Sequence, residues 1–418
     1  MSTGYNFYFD ETYHDRKITL NNNKLNILAE NVLDDYIGFF WGTRENNINY
    51  IFTKLLDFEN KYRKLFTLPN EKELKCRNFN NTQFKFGIHS FDRLILDFYI
   101  ELFDICNDQK MLFQIDIISK MEILVRCLFS DEGWFRSNGY IYNVFVYSFT
   151  KMLIYYNHTE LINSLCNLDD ASSEETLSII TKTIVKVIEA GKDVKRKGSE
   201  VHIFKELIHI LNTPGCKINS RKSQDWVYFA NFDGLCNLLK EVSINPKRIN
   251  LLIDKDEKTV ETANLYPFKD VQGVDSADNI GVRLSDWLVG FIGKNIWGIV
   301  HDPSATEEKV NDITNIKTDD FSRRRVLSPD WFELNEKQFE CYKKAANCFI
   351  KRQKHHWTVL HCAYADHTIQ FFALLRYIDQ FDYVAYLKQT PEQHRDEYTK
   401  MSLSELRSYY KEIENPYK

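Results

Sequence analysis

The sequence predicts an α/β fold. Three observations carry that expectation. Gly and Pro are scarce, at 15 and 8 in 418 residues, which argues for long helices and against a turn-rich all-β protein. Two short apolar runs, "YNFYFDET" (5–12) and "RINLLID" (248–254), read as buried strands, and each closes in an acid. Long stretches between and after them carry apolar residues at helical spacing.

Taken in order, residues 5–12 form the first strand. "YIFTKLLDFENKYRKLF" (50–66) repeats Ile51, Leu55, Phe58, Tyr62 and Leu65 at helical offsets, and Pro69 stops it. "EKELKCR" (71–77) reads equally as a short strand or a loop. "FNNTQFKFGIHS" (79–90) has a β-like pattern. "FDRLILDFYIELFDIC" (91–106) is helical. "KMLFQIDIIS" (110–119) is a strand, with Leu112, Gln114 and Asp116 alternating against Phe113, Ile115 and Ile117.

A helical insertion is expected over about 120–245. Within it, "DDASSEET" carries a helix-start signal, Gly191 suits a helix end, and Asn245-Pro246 breaks the last helix. "DVQGVD" (270–275) reads as a strand. A helix starts near Asn279. The domain expectation is an α/β unit over 1–300, a polar linker over 301–329 and an almost wholly helical region over 330–418.

With 44% hydrophobic residues the chain can build a large core. Its net charge of −5 supplies no global basic field, so a nucleic-acid partner has to meet local patches. The nine Cys include no Cys-x-x-Cys pair and fit a reduced, cytoplasmic compartment. No apolar run is long enough for a bilayer, so no membrane is expected.

Chemistry is expected at three acids. Asp10 and Asp254 end buried strands. Asp286 sits in the apolar helix "GVRLSDWLVGFIG", where Val282, Asp286, Val289 and Gly290 share a face expected to pack on the sheet. Buried carboxylates that converge repel one another and need a cation. Oxygen donors favour Mg²⁺ or Mn²⁺, and two such ions suit phosphodiester hydrolysis by water, without a protein nucleophile. Taken singly, a strand-end Asp is more often a turn former or helix cap. Glu11 points away from Asp10, whereas Asp256 faces with Asp254 if that strand continues.

At these residues the chain resembles a bacterial RNase-H-like family, the domain of unknown function numbered three thousand eight hundred. The likeness rests on "FYFDET" (Asp10, Glu11, Thr12), "NLLIDKDE" (Asp254) and "VDSADNIGVRLSDWLVG" (Asp275, Ser276, Gly281, Arg283, Asp286). It spans roughly 5–295. The resemblance implies an RNase-H-like mixed sheet flanked by helices, with the first strand central and bonded to the strand of the second acid. It also implies a metal-dependent nuclease acting on DNA or RNA, with links to phage defence and mobile elements. A fourth family acid lies in a Glu-x-Lys segment, which points to Glu73 in "KELKC". Three positions depart from the family pattern: Thr12 stands for Ser, Arg283 for Gln and Ser285 for Ala. An Arg beside the acids would neutralise one of them or grip a phosphate. That feature favours the alternative, a non-catalytic scaffold binding nucleic acid or protein, with the C-terminal helices sensing a partner or self-associating.

Weaker candidates remain. "HHWTVLHCAYADH" places His355, His356, His361 and His367 at spacings unlike helical metal pairs. "DVKRKG" (193–198), "KINSRK" (217–222) and "RRR" (323–325) are basic clusters, by default solvated loops and otherwise phosphate contacts. No phosphate-binding glycine loop and no Gly-x-Ser-x-Gly elbow occurs.

Overall fold

The computed structural model describes residues 4–13, 20–21, 24–28, 33–69, 72–108, 110–156, 159–168, 172–194, 197–219, 229–306, 326–351 and 356–414. Its centre is a mixed six-stranded sheet. The strands are β1 (Tyr5–Thr12), β2 (Asp35–Arg44), β3 (Leu112–Ser119), β4 (Ile249–Asp254), β5 (Asp270–Val274) and β6 (His356–Leu360). Their order across the sheet is β5-β4-β1-β2-β3-β6. β1 runs antiparallel to β2, with Asp10 opposite Phe39, and parallel to β4, with Phe9 beside Ile253. β2 is antiparallel to β3, while β5 and β6 join their neighbours in parallel. Only β2 therefore opposes the common direction.

Alternation along β1 assigns its two faces. Phe7 and Phe9 pack with Phe40 and Phe232 on one side, under α4 (Phe229–Glu241). Tyr8, and Asp10 with it, point to the other side. There the helices α1 (Ile48–Leu65), α2 (Arg93–Cys106) and α5 (Ile280–Val300) build the main core. The sheet is thus covered on both faces, as an α/β layering requires.

α5 is buried almost all round. Gly281 lets it sit on Tyr8, since a Cβ there would lie 2.4 Å from the tyrosine ring. The Trp41 indole N–H donates to the Gly281 carbonyl at 2.7 Å, and the Ser285 hydroxyl donates to the Tyr8 carbonyl at 3.2 Å. Gly293 meets Thr12 and Tyr13. The stripe against the sheet is therefore 281/285/293, not the expected 282/286/289. Asp286 and Gly290 instead face the turn at Cys76, whose sulfur lies 2.2 Å from where a Gly290 Cβ would stand.

The insertion between β3 and β4 is helical as expected, and includes α3 (Tyr142–Tyr155) with a core of its own. Three expectations are corrected. Residues 79–90 form short 3₁₀ turns, Asn81–Phe84 and Gly87–Ser90, not a strand. β2 was not expected at all. The 330–418 region is not wholly helical: besides α6 (Glu336–Ala346), α7 (Asp366–Asp379) and α8 (Pro391–Glu414) it supplies β6. Its Trp331, Tyr342, Phe349, Phe371 and Tyr398 share one core with Tyr8 and Trp287. Most of the expected linker, 307–325, lies outside the described residues.

Candidate active site

The C-terminal ends of β1 and β4 are neighbours, so Asp10 and Asp254 meet at one end of the sheet. α5 crosses the face to which Asp10 points and brings Asp286 there. The mutual fields follow. The Asp10 carboxyl is held well above the ordinary range, first by burial and then by the Asp286 and Glu11 charges, with Asp254 adding to them. Burial raises Asp286 to about 6, although the Cys76 N–H, Lys75 and Arg77 all pull it down.

The fourth expected acid joins this corner through the extended segment 73–75. Trp287 Nε1 donates to the Leu74 carbonyl at 2.6 Å, and the Cys76 N–H donates to Asp286 Oδ2 at 2.7 Å. These bonds pin the segment to α5. Side chains alternate along extended backbone, so Glu73 and Lys75 project to the same side. Lys75 Nζ lies 2.9 Å from Glu73 Oε2, 2.7 Å from Ser276 Oγ and 3.8 Å from Asp254 Oδ2. Ser276 Oγ donates to Glu73 at 3.2 Å, and the Ser276 N–H reaches Asp254 Oδ1 at 3.3 Å.

Lys75 and Ser276 stand in the motifs quoted from the sequence, as the Lys of Glu-x-Lys and the Ser of the closing segment, but were given no role at the site. The Glu-x-Lys spacing was the available signal: it puts acid and cation on one side of an extended segment.

Arg283 does not approach the acids. It is buried and pairs with Glu59 at 2.8 Å, and its Nη1 also donates to the carbonyls of Ser276 and Ala277. It therefore fixes the loop that carries Ser276. Asp256 turns away as well, capping the helix Glu257–Ala263 by accepting from the Lys258 N–H at 3.0 Å. Asp275 pairs with Lys255 at 3.1 Å.

Among the described residues, no group of three or more His, Cys, Asp or Glu side chains is set as a ready metal cage. The carboxylates are turned to protein donors instead: Asp286 to the Cys76 N–H, Asp254 to the Lys255 and Ser276 N–H groups, Glu73 to Lys75. The donor set still fits a hard divalent ion. It is all oxygen, and Asp10 and Asp286 are half-buried carboxylates whose described protein donors are single backbone N–H groups.

The other candidates resolve differently. His361 Nε2 contacts the buried Asp116 at 2.7 Å, and His367 lies buried on α7. His355 is outside the described residues, as are 195–196, 220–222 and 323–325 of the basic clusters. Lys197 is not a phosphate contact: it is buried against Tyr156 at 2.8 Å and Glu200 at 3.0 Å.

No described helix is long and apolar enough to cross a membrane. No family model, curated protein or solved structure matches the chain.

Proposed function

We propose that this chain is an RNase-H-like, divalent-metal-dependent nuclease acting on DNA or RNA. One observation carries the reading. A central first strand, with the antiparallel pair β2 and β3 on one side and two parallel strands on the other, carries Asp10 near its end beside Asp254, with Asp286 on the helix that crosses the same face. Asp10, Asp254 and Asp286 would hold Mg²⁺ or Mn²⁺, and Glu73 borders them. When bound, the metal supplies Lewis-acid charge that activates water and stabilises the departing oxygen.

The chain's own part is positional. The Cys76 N–H holds Asp286, Arg283 holds the Ser276 loop, and Ser276 orients Glu73. Burial by α5 lowers the local dielectric and strengthens the acids' grip on a cation.

The second reading is a non-catalytic scaffold that binds nucleic acid or a protein. Lys75 favours it, because an ammonium among the acids already offsets part of their charge. Cleavage decides between the two. The full chain should cut labelled single- or double-stranded DNA or RNA with Mn²⁺ and not with EDTA, and Asp10→Asn should abolish the cut. Metal-independent binding without cleavage supports the scaffold.

A further inference from the structure

The centre holds one fixed positive charge of its own, and its placement bears on how many metal ions it takes. Lys75 belongs to the acid corner by geometry. Its side chain is only 15% exposed, and its backbone is extended at φ −122° and ψ 156°. The two bonds between α5 and Leu74 and Cys76 fix the backbone on either side of it. An ammonium has three protons to donate. One goes to Glu73 at 2.9 Å and one to Ser276 Oγ at 2.7 Å. The third faces Asp254, which at 3.8 Å is beyond hydrogen-bond length.

The acids thereby divide into two pairs. Glu73 and Asp254 look at the ammonium. Asp10 and Asp286 have no described cation in contact and receive single backbone N–H groups from Glu11 and Cys76. Neighbouring carboxylates of this kind repel one another unless a positive charge lies between them. The first pair lies against that charge; in the second, Asp286 feels Lys75 and Arg77 only from beyond contact, and Asp10 faces other acids.

We infer that the site takes a single divalent ion, between Asp10 and Asp286, and that the Lys75 ammonium stands where a two-ion centre would carry its second metal. The third Lys75 proton, not hydrogen-bonded to Asp254 at 3.8 Å, is then the one left for a substrate phosphate oxygen. Lys75 is a positioning and charge-supplying residue, and Glu73 serves it rather than a metal. This inference rests on the metal-centre reading above and sharpens it from two ions to one.

The test is Mn²⁺ titration of the metal-stripped full chain by calorimetry, without nucleic acid. The wild type should bind one ion, Lys75→Arg should still bind one, and Asp10→Asn should bind none. Lys75→Met and Lys75→Gln free Glu73 and Asp254, so each should bind two. Melting in EDTA gives an independent readout. Both neutral variants should melt below the wild type, and Mn²⁺ should close the gap, while Lys75→Arg should melt close to it. Two ions on the wild type, or one ion of unchanged affinity on both neutral variants, overturns the inference and leaves the metal centre standing. No ion on the wild type overturns the metal centre and this inference together.

Discussion

Two carboxylates on this sheet invite comparison. Asp10 on β1 and Asp116 on β3 both stand where apolar side chains would be cheaper. Asp116 is fully buried, and its neighbours are donors: His361 at 2.7 Å and the Gln114 amide at 3.0 Å. Burial raises it to about 6, and His361 and Gln114 restrain the rise. Asp10 faces other acids, and Asp286, Glu11 and Asp254 add to the effect of burial. Donor neighbours make a carboxylate structural. Acid neighbours leave Asp10 facing charge of its own sign.

The comparison breaks most visibly in activity. Asp10→Asn should remove metal-dependent cleavage altogether while leaving the metal-free fold as stable or slightly more so, because one of several repelling charges is gone. Asp116→Asn should do the reverse: cleavage survives in the folded fraction, and stability falls by about 1–3 kcal/mol as the His361 contact weakens. Activity assays and urea melts of the two variants read both effects. A strongly destabilised Asp10→Asn would mean that Asp10 is structural too.

A buried pair should cost more stability than either acid. Removing Glu59 leaves the buried Arg283 guanidinium without its carboxylate, so Glu59→Ala should lose about 3–5 kcal/mol. Urea denaturation checks it, and a loss under 1 kcal/mol would mean the Ser276 and Ala277 carbonyls suffice for Arg283. Metal should then separate the two regions directly. If Asp10 belongs to a cation site, Mn²⁺ at about a hundred times its dissociation constant adds about 2.7 kcal/mol to the wild type. It should add the same to Asp116→Asn and nothing to Asp10→Asn in thermal melts.

A pH-dependent effect concerns Asp35, a third acid on the sheet. Its two carboxyl oxygens are buried without a hydrogen-bond partner, and burial followed by the Asp34 charge lifts it from 3.8 to about 8. The folded state therefore holds a proton that the unfolded chain releases near pH 3.8. This group's contribution to stability is full below that value and declines as pH rises towards about 8. Asp35→Asn should flatten that decline, raising the melting temperature at the alkaline end and hardly at all near pH 4. Melts of both proteins across the range check it.

How much of this was legible in the sequence follows from the same physics. Asp10 and Asp254 stood out because an acid closing an apolar strand breaks its pattern. Asp286 stood out because α5 is otherwise apolar. β2 escaped notice because it lies in the middle of the sheet with both faces covered. Residues 35–43 are all buried, so "DYIGFFWGT" shows no alternation. β6 escaped because it is a five-residue edge strand between helices. In residues 79–90 the buried Phe84 and Ile88 mimic a strand while serving 3₁₀ turns. Arg283 misled because only the fold reveals Glu59, which comes from a distant part of the chain, as its partner.

The bond from Ser285 to Tyr8 joins residues 277 positions apart. A ribosome adding about 5–20 residues per second takes roughly tens of seconds to cover that distance. Throughout that interval Asp10 has been made and Asp286 has not. The acid corner is thus among the last features of the α/β unit that can assemble. No nascent fragment that stops short of α5 can carry it, however well its own helices have formed. β6 prolongs the wait, because until residues 356–360 emerge the outer edge of β3 presents unpaired N–H and C=O groups to any strand that passes.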